Sequence, residues 1–168
     1  MRAEAEAADF VDVAREGWAR TRPELDVSSI EVMGRISRIA ALVTQRVEHA
    51  LAPEGLTRAE FDVLCTLARA GRALRASEVT AATMLSGAST TKNADRLVKR
   101  GLIERLPWEH DGRVVLLTLT VAGVELVDAL FPNFLIRDRE MLAGLNAGEQ
   151  AELAALLRKI AVRLETPQ

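Results

Sequence analysis

Ser89, Thr90, Thr91, Lys92 and Asn93 form an unbroken run of hydroxyl, ammonium and carboxamide groups. Each can bond a phosphate oxygen or the edge of a base. The run follows Leu85-Ser86-Gly87, which reads as a turn, so it opens a helix. Unpaired backbone N–H groups and the helix dipole attract anions at such a place. Asn93 has the geometry to pair with an adenine edge, and Lys92 can take a guanine or a phosphate. Arg96 follows one turn further along. Downstream, Asp111-Gly112-Arg113 carries a cation suited to a narrow minor groove, with a carboxylate placed to hold it by a charge-assisted bond. The plainer reading is a solvated helix face followed by a tight Asp-Gly turn.

The elements that must position these groups run from Ser77 to Thr120. Ser77 caps a helix to about Met84. Ser86 or Ser89 caps the next, which ends at Gly101. Leu102 to Leu106 is strand-like, WEHDG is a turn, and VVLLTLT is a β-rich run. Two short helices and a hairpin in that order describe a winged helix-turn-helix. Upstream, Thr57 and Glu60 have capping-box spacing and open a helix to about Ala70, stopped by Gly71. An amphipathic helix is expected over Ala3 to Trp18, broken by Pro23. Ser28 or Ser29 caps another, with Val32, Ile36, Ile39, Val43 and Val47 as its stripe, ending at Pro53 and Gly55. Downstream, Thr120 caps a long helix in which Pro132 makes a kink or a mild bend. Asn146 and Glu149 repeat the capping-box spacing before a last helix with Leu153, Leu156, Leu157, Ile160 and Leu164.

The 168 residues are 49% apolar, enough for one domain with a real core, and only 4% aromatic. The expected fold class is mainly α with a small β-wing. The net charge is −2, but residues 71–118 hold 8 Lys or Arg against 5 Asp or Glu. The cationic excess therefore sits in the segment that would face phosphates. The start, MRAEAEAADF, lacks the basic, then apolar, character of a signal peptide. No run is apolar enough to span a bilayer, so a cytoplasmic location without membrane contact is expected. Cys65 is the lone cysteine and reads as a small buried hydrophobe rather than a redox thiol. His49 and His110 lack partners at ligand spacing, so neither a metal nor a cofactor is expected. No nucleophile triad or glycine-rich phosphate loop stands out, and an enzyme is the least favoured class. Trp108, in the wing, is expected to pack the hairpin onto the body rather than to stack on a base.

LTRAEFDVLCTLARAG, the two central helices, GLIER, the Asp111–Arg113 pattern and LTLT stand in an order that resembles the MarR family of transcriptional regulators. The resemblance covers roughly residues 30–165. It implies a homodimer in which each chain is one domain over 1–168. In that scheme 1–54 and 121–168 are dimerisation helices and 55–120 is the winged helix-turn-helix. The extra first helix with Trp18, then RPELD, and TMLSGASTTKNADRL are similar to the urate-responsive, HucR- and PecS-like branch. That narrower resemblance implies a ligand site made of Trp18, Asp62, Arg96 and Arg105. Trp18 would offer an apolar face, the arginines paired donors for a small aromatic anion such as urate or a related purine, and Asp62 a tie for one arginine.

The leading expectation is therefore a dimeric repressor on palindromic double-stranded DNA, contacted by Ser89, Thr90, Thr91, Lys92, Asn93, Arg96, Asp111 and Arg113 and released by the anion. Alternatives are a response to phenolic or other aromatic acids, or a winged-helix module for protein interaction with weak DNA binding.

Overall fold

The computed structural model describes residues 8–108 and 111–166, with the side chains of 111–113 also outside the description. The chain divides between Arg58 and Ala59 into two compact units.

The first unit holds α1 (Phe10–Thr21), α2 (Ile30–Leu51) and a 3₁₀ turn (Ala52–Glu54). The expected Ala3 start of the first helix lies outside the described residues. In the described part α1 opens at Asp9, which caps it reciprocally with Asp12. Four contacts pin α1 to α2. Arg35 donates to Asp9 at 2.8 Å and Asp12 at 2.7 Å. Arg15 meets Glu31 at 3.2 Å, and Arg38 lies over the Phe10 ring at 4.6 Å. Val11 is buried, and the absence of a side chain at Gly34 makes room for it: a Cβ there would stand 3.1 Å from Val11 Cγ1. Ser29 occupies the cap position of α2 but its hydroxyl makes no capping bond.

The second unit holds α3 (Arg58–Ala70), β1 (Leu74–Arg75), α4 (Ala76–Thr83), α5 (Gly87–Lys99), β2 (Ile103–Trp108), β3 (Asp111–Leu119), α6 (Val121–Met141) and α7 (Ala147–Glu165). The architecture is mainly helical with one small antiparallel sheet in the order β1-β3-β2, the class expected. Ile103 pairs with Leu119, Arg105 with Leu117 and Pro107 with Val115. Pro107, which has no N–H to give, is tolerated because β2 is an edge strand and its register shifts there. The inward face of the sheet and the inner faces of α3, α4 and α5 bury Phe61, Leu64, Leu67, Leu74, Val79, Leu97, Ile103 and Leu117.

One helix start differs from expectation. Helix α4 starts at Ala76, so Ser77 lies inside its first turn, because Glu78 reaches back to the Arg75 N–H at 2.8 Å and takes over the capping role. Helix α6 runs unbroken through Pro132. The reciprocal cap of Asn146 and Glu149 on α7 is present as the spacing suggests. Cys65 is half-buried and forms no disulfide.

Candidate nucleic-acid interface

Helix α5 starts where it does because the Ser86 hydroxyl accepts the Ser89 N–H at 3.1 Å. It ends at Lys99, and the chain turns away at Gly101, whose φ of +68° suits a residue without a Cβ. There the Leu102 N–H returns to the Leu97 carbonyl at 3.0 Å. The turn leading into α5 passes through Met84, held at φ +55° and 90% exposed. Along α5, Thr90, Asn93, Ala94 and Leu97 face inward at helical spacing. Ala88, Thr91, Lys92, Arg96 and Lys99 face out, and Ser89 is half-buried.

This phase turns two of the expected contact residues inward. Thr90 is 1% exposed, and its hydroxyl takes a 2.8 Å bond from the Thr80 hydroxyl of α4. Asn93 is 5% exposed and donates to Ser89 Oγ at 3.3 Å. Both point into the body, Thr90 tied to α4 and Asn93 bonded within α5. The helical period decides this: they share a face with Leu97, the residue the core requires. Ser89, Thr91, Lys92 and Arg96 remain on accessible or partly accessible surface. The side chains of Asp111 and Arg113 lie outside the described residues.

Of the expected ligand residues, Trp18 belongs to the first unit, on α1, and is 50% exposed. Asp62, half-buried on α3, and both arginines belong to the second. Each arginine stands beside a carboxylate. Arg96 Nη1 lies 3.7 Å from Oε1 of Glu60, a buried acid on the first turn of α3. Arg105 Nη2 donates to Asp95 Oδ1 at 2.6 Å, joining β2 to α5. Beneath that bond a groove of about 210 Å³ runs between helix and sheet, lined by Thr90, Thr91, Ala94, Arg105, Val115 and Leu117. Its walls are mostly apolar with one cation at the rim.

The partnership of Glu60 with Arg96 is not visible in the sequence, because T-x-x-E already accounts for Glu60 as a cap. The other unanticipated cluster lies on the far face of the sheet. Arg72 donates to Glu78 at 2.7 Å, and that bond, aided by the Arg75 N–H, holds the Glu78 carboxyl below its usual range. The Arg75 guanidinium lies over the Trp108 ring at 4.1 Å, so Trp108 does pack against the body. Among the described residues no group of three acids, histidines or cysteines is placed to hold a metal. No described helix is long and apolar enough to cross a membrane.

The sequence model of the MarR family matches residues 54–114. The chain is 31% identical over 157 residues to the transcriptional regulator PecS of Dickeya dadantii, with 92% of each chain covered. It is 30% identical over 131 residues to the multiple antibiotic resistance protein MarR of Escherichia coli, covering 74% of this chain and 90% of that one. A solved structure of Bordetella bronchiseptica BpsR, whose DNA binding is regulated by 6-hydroxynicotinic acid, superposes with a TM-score of 0.71 at 30% identity, covering 79% of this chain and 94% of that one. AbsC, a MarR family regulator from Streptomyces coelicolor, superposes with a TM-score of 0.75 at 26% identity, covering 83% and 96%.

Proposed function

Because the chain belongs to the MarR family of DNA-binding transcriptional regulators, we propose that it is a homodimeric repressor of a palindromic operator, released by a small aromatic anion such as urate. The observation that carries the DNA half is the outward face of α5. A hydroxyl-rich first turn leads into Lys92, Arg96 and Lys99, while the opposite face is locked into the body. Such a helix enters a major groove with its N-terminal turn foremost. Ser89 and Thr91 bond phosphates, Lys92 meets a guanine or a phosphate, and Arg113, steadied by Asp111, follows the minor groove beside it.

The dimer is supported by α7, which has no buried residue yet exposes Leu153, Leu156, Leu157, Val162 and Leu164. An apolar surface of that extent belongs against a second copy. Two-fold symmetry then matches two half-sites on one duplex.

The effector half rests on Arg96 and Arg105, each held by one carboxylate. An aromatic anion competes for such a guanidinium, and both pairs reach α5, so re-pairing moves the helix that reads DNA. The resemblance to the urate-responsive branch adds Trp18 as a ring face and Asp62 as an acceptor for a ligand N–H. The likeness to BpsR favours a second effector of the same chemistry, a hydroxylated pyridine carboxylate.

The test is a mobility-shift titration on the DNA upstream of the chain's own gene, with urate and with 6-hydroxynicotinate in separate arms. The reading expects a specific complex, weakened steeply by salt and dissolved by one of the two anions. Salt-insensitive binding would point to a protein-interaction module instead. Binding that neither anion disturbs, or that urate disturbs equally in Trp18→Ala, would remove the proposed effector site.

A further inference from the structure

Trp108 ends β2, immediately before the tip of the hairpin. In the sheet Arg75 pairs with Leu116, and Leu116 with Leu106, so these three stand in one row across the strands. Trp108 comes two residues after Leu106, past the register shift at Pro107. Two strand spacings, roughly 10 Å, separate β1 from β2. The long side chains of Arg75 and Trp108 close that gap: the guanidinium lies 4.1 Å from the centroid of the indole ring. Arg72, Ala73, Glu78 and Leu116 complete a groove of about 400 Å³ around the contact. Arg75 is fixed at its other end as well, since its N–H is held by Glu78 where β1 becomes α4.

Beyond Leu116 the described hairpin is two-stranded, and it pairs again at Trp108 and Asp111 after the register shift. Strand β1 is two residues long and reaches no further than Leu116, and the ladder between β2 and β3 loses register at Pro107. A two-stranded hairpin end is marginal on its own. We propose that the Arg75–Trp108 stack is a brace that sets the angle of the outer hairpin, where β2 ends, relative to α4 and α5, which makes Trp108 a positioning residue for the wing's contact with DNA. This rests on the DNA-binding reading above.

The experiment compares Trp108→Ala, Trp108→Phe and Arg75→Lys with the unaltered protein by operator titration across a salt series, hydroxyl-radical footprinting and thermal melting. Trp108→Ala changes no charge. The brace nevertheless expects a roughly three- to tenfold loss of affinity, the scale of one cation–π contact. It also expects a salt slope lower by about one, because a wing cation leaves the phosphates. Protection disappears at the outer flanks of the footprint and stays at the centre, while the melting temperature falls by no more than about 5 °C, so the protein remains folded at the assay temperature. Trp108→Phe retains most of the affinity. Arg75→Lys, which keeps the charge but not the planar stack, behaves like Trp108→Ala. If unaltered protein protects DNA and Trp108→Ala keeps the full footprint and slope, the brace is wrong while the DNA reading stands. If Arg75→Lys binds as the unaltered protein does, Arg75 acts as a charge alone and the brace is likewise overturned. No protection by the unaltered protein removes the DNA reading and this inference with it.

Discussion

A Cβ placed on Gly123 would stand 2.0 Å from the Leu102 carbonyl oxygen, a backbone atom that cannot swing aside. The approach is that close because Thr120 ties the start of α6 to the end of α5, its N–H on Leu102 O at 3.1 Å and its hydroxyl on Gly101 O at 2.6 Å. Gly123→Ala is expected to cost about 3 kcal/mol, read as a lower urea midpoint. Met84 has the opposite character. It holds a left-handed backbone with a side chain that is almost wholly in solvent. Met84→Gly relieves the Cβ strain and loses almost no packing, so a gain of up to about 1 kcal/mol is expected, seen as a higher melting temperature. Thr90→Val removes the hydroxyl that Thr80 donates to. It should lower stability by about 1 kcal/mol and leave the operator affinity of the folded protein unchanged. A large loss of affinity at full stability would return Thr90 to the DNA contacts.

Helix α5 carries one polar face and one anchoring face, and the two answer to different measurements. Lys92→Ala removes a solvent-facing cation. It is expected to lower the slope of log affinity against log salt by about one with stability intact. In α1, electrostatics add to the packing of Val11 as the anchor. The Asp9 N–H, and then Arg35, hold the Asp12 carboxyl below its ordinary value. A group depressed in this way stabilises the fold above its unfolded pKa and stops doing so as pH falls through the lower folded value. The difference in melting temperature between the unaltered protein and Asp12→Asn should therefore be present at neutral pH and fade only as pH falls below the ordinary carboxylate range. A difference that survives acid would mean that the Arg35 clamp does not depend on the carboxylate charge.

The molecule as a whole leaves apolar side chains in solvent on α6 and α7: Phe131, Leu135, Ile136, Leu153, Leu156 and Leu157 are all exposed. On the dimer reading these surfaces form the two-fold interface, and DNA affinity depends on it because both half-sites must be held together. The pair Leu153→Glu and Leu157→Glu should shift the molecular weight in sedimentation from dimer to monomer and weaken operator binding by orders of magnitude. A monomeric unaltered protein would end that reading.

Local chemistry alone made much of this chain legible. Apolar residues at helical spacing, the Asn146–Glu149 and Ser86 caps and the β-branched run before Thr120 identify the winged helix-turn-helix and its flanking helices, because each signal acts within a few residues of the backbone it shapes. The phase of α5 required the fold. Thr90 and Asn93 look as free as Lys92 in a string of polar letters, and only the packing of Leu97 against the body turns them inward. The same holds for Glu60 beside Arg96 and Arg75 over Trp108. Those partners lie more than thirty positions apart, and which long side chains meet across such a gap depends on strand order and helix rotation, which no short stretch encodes.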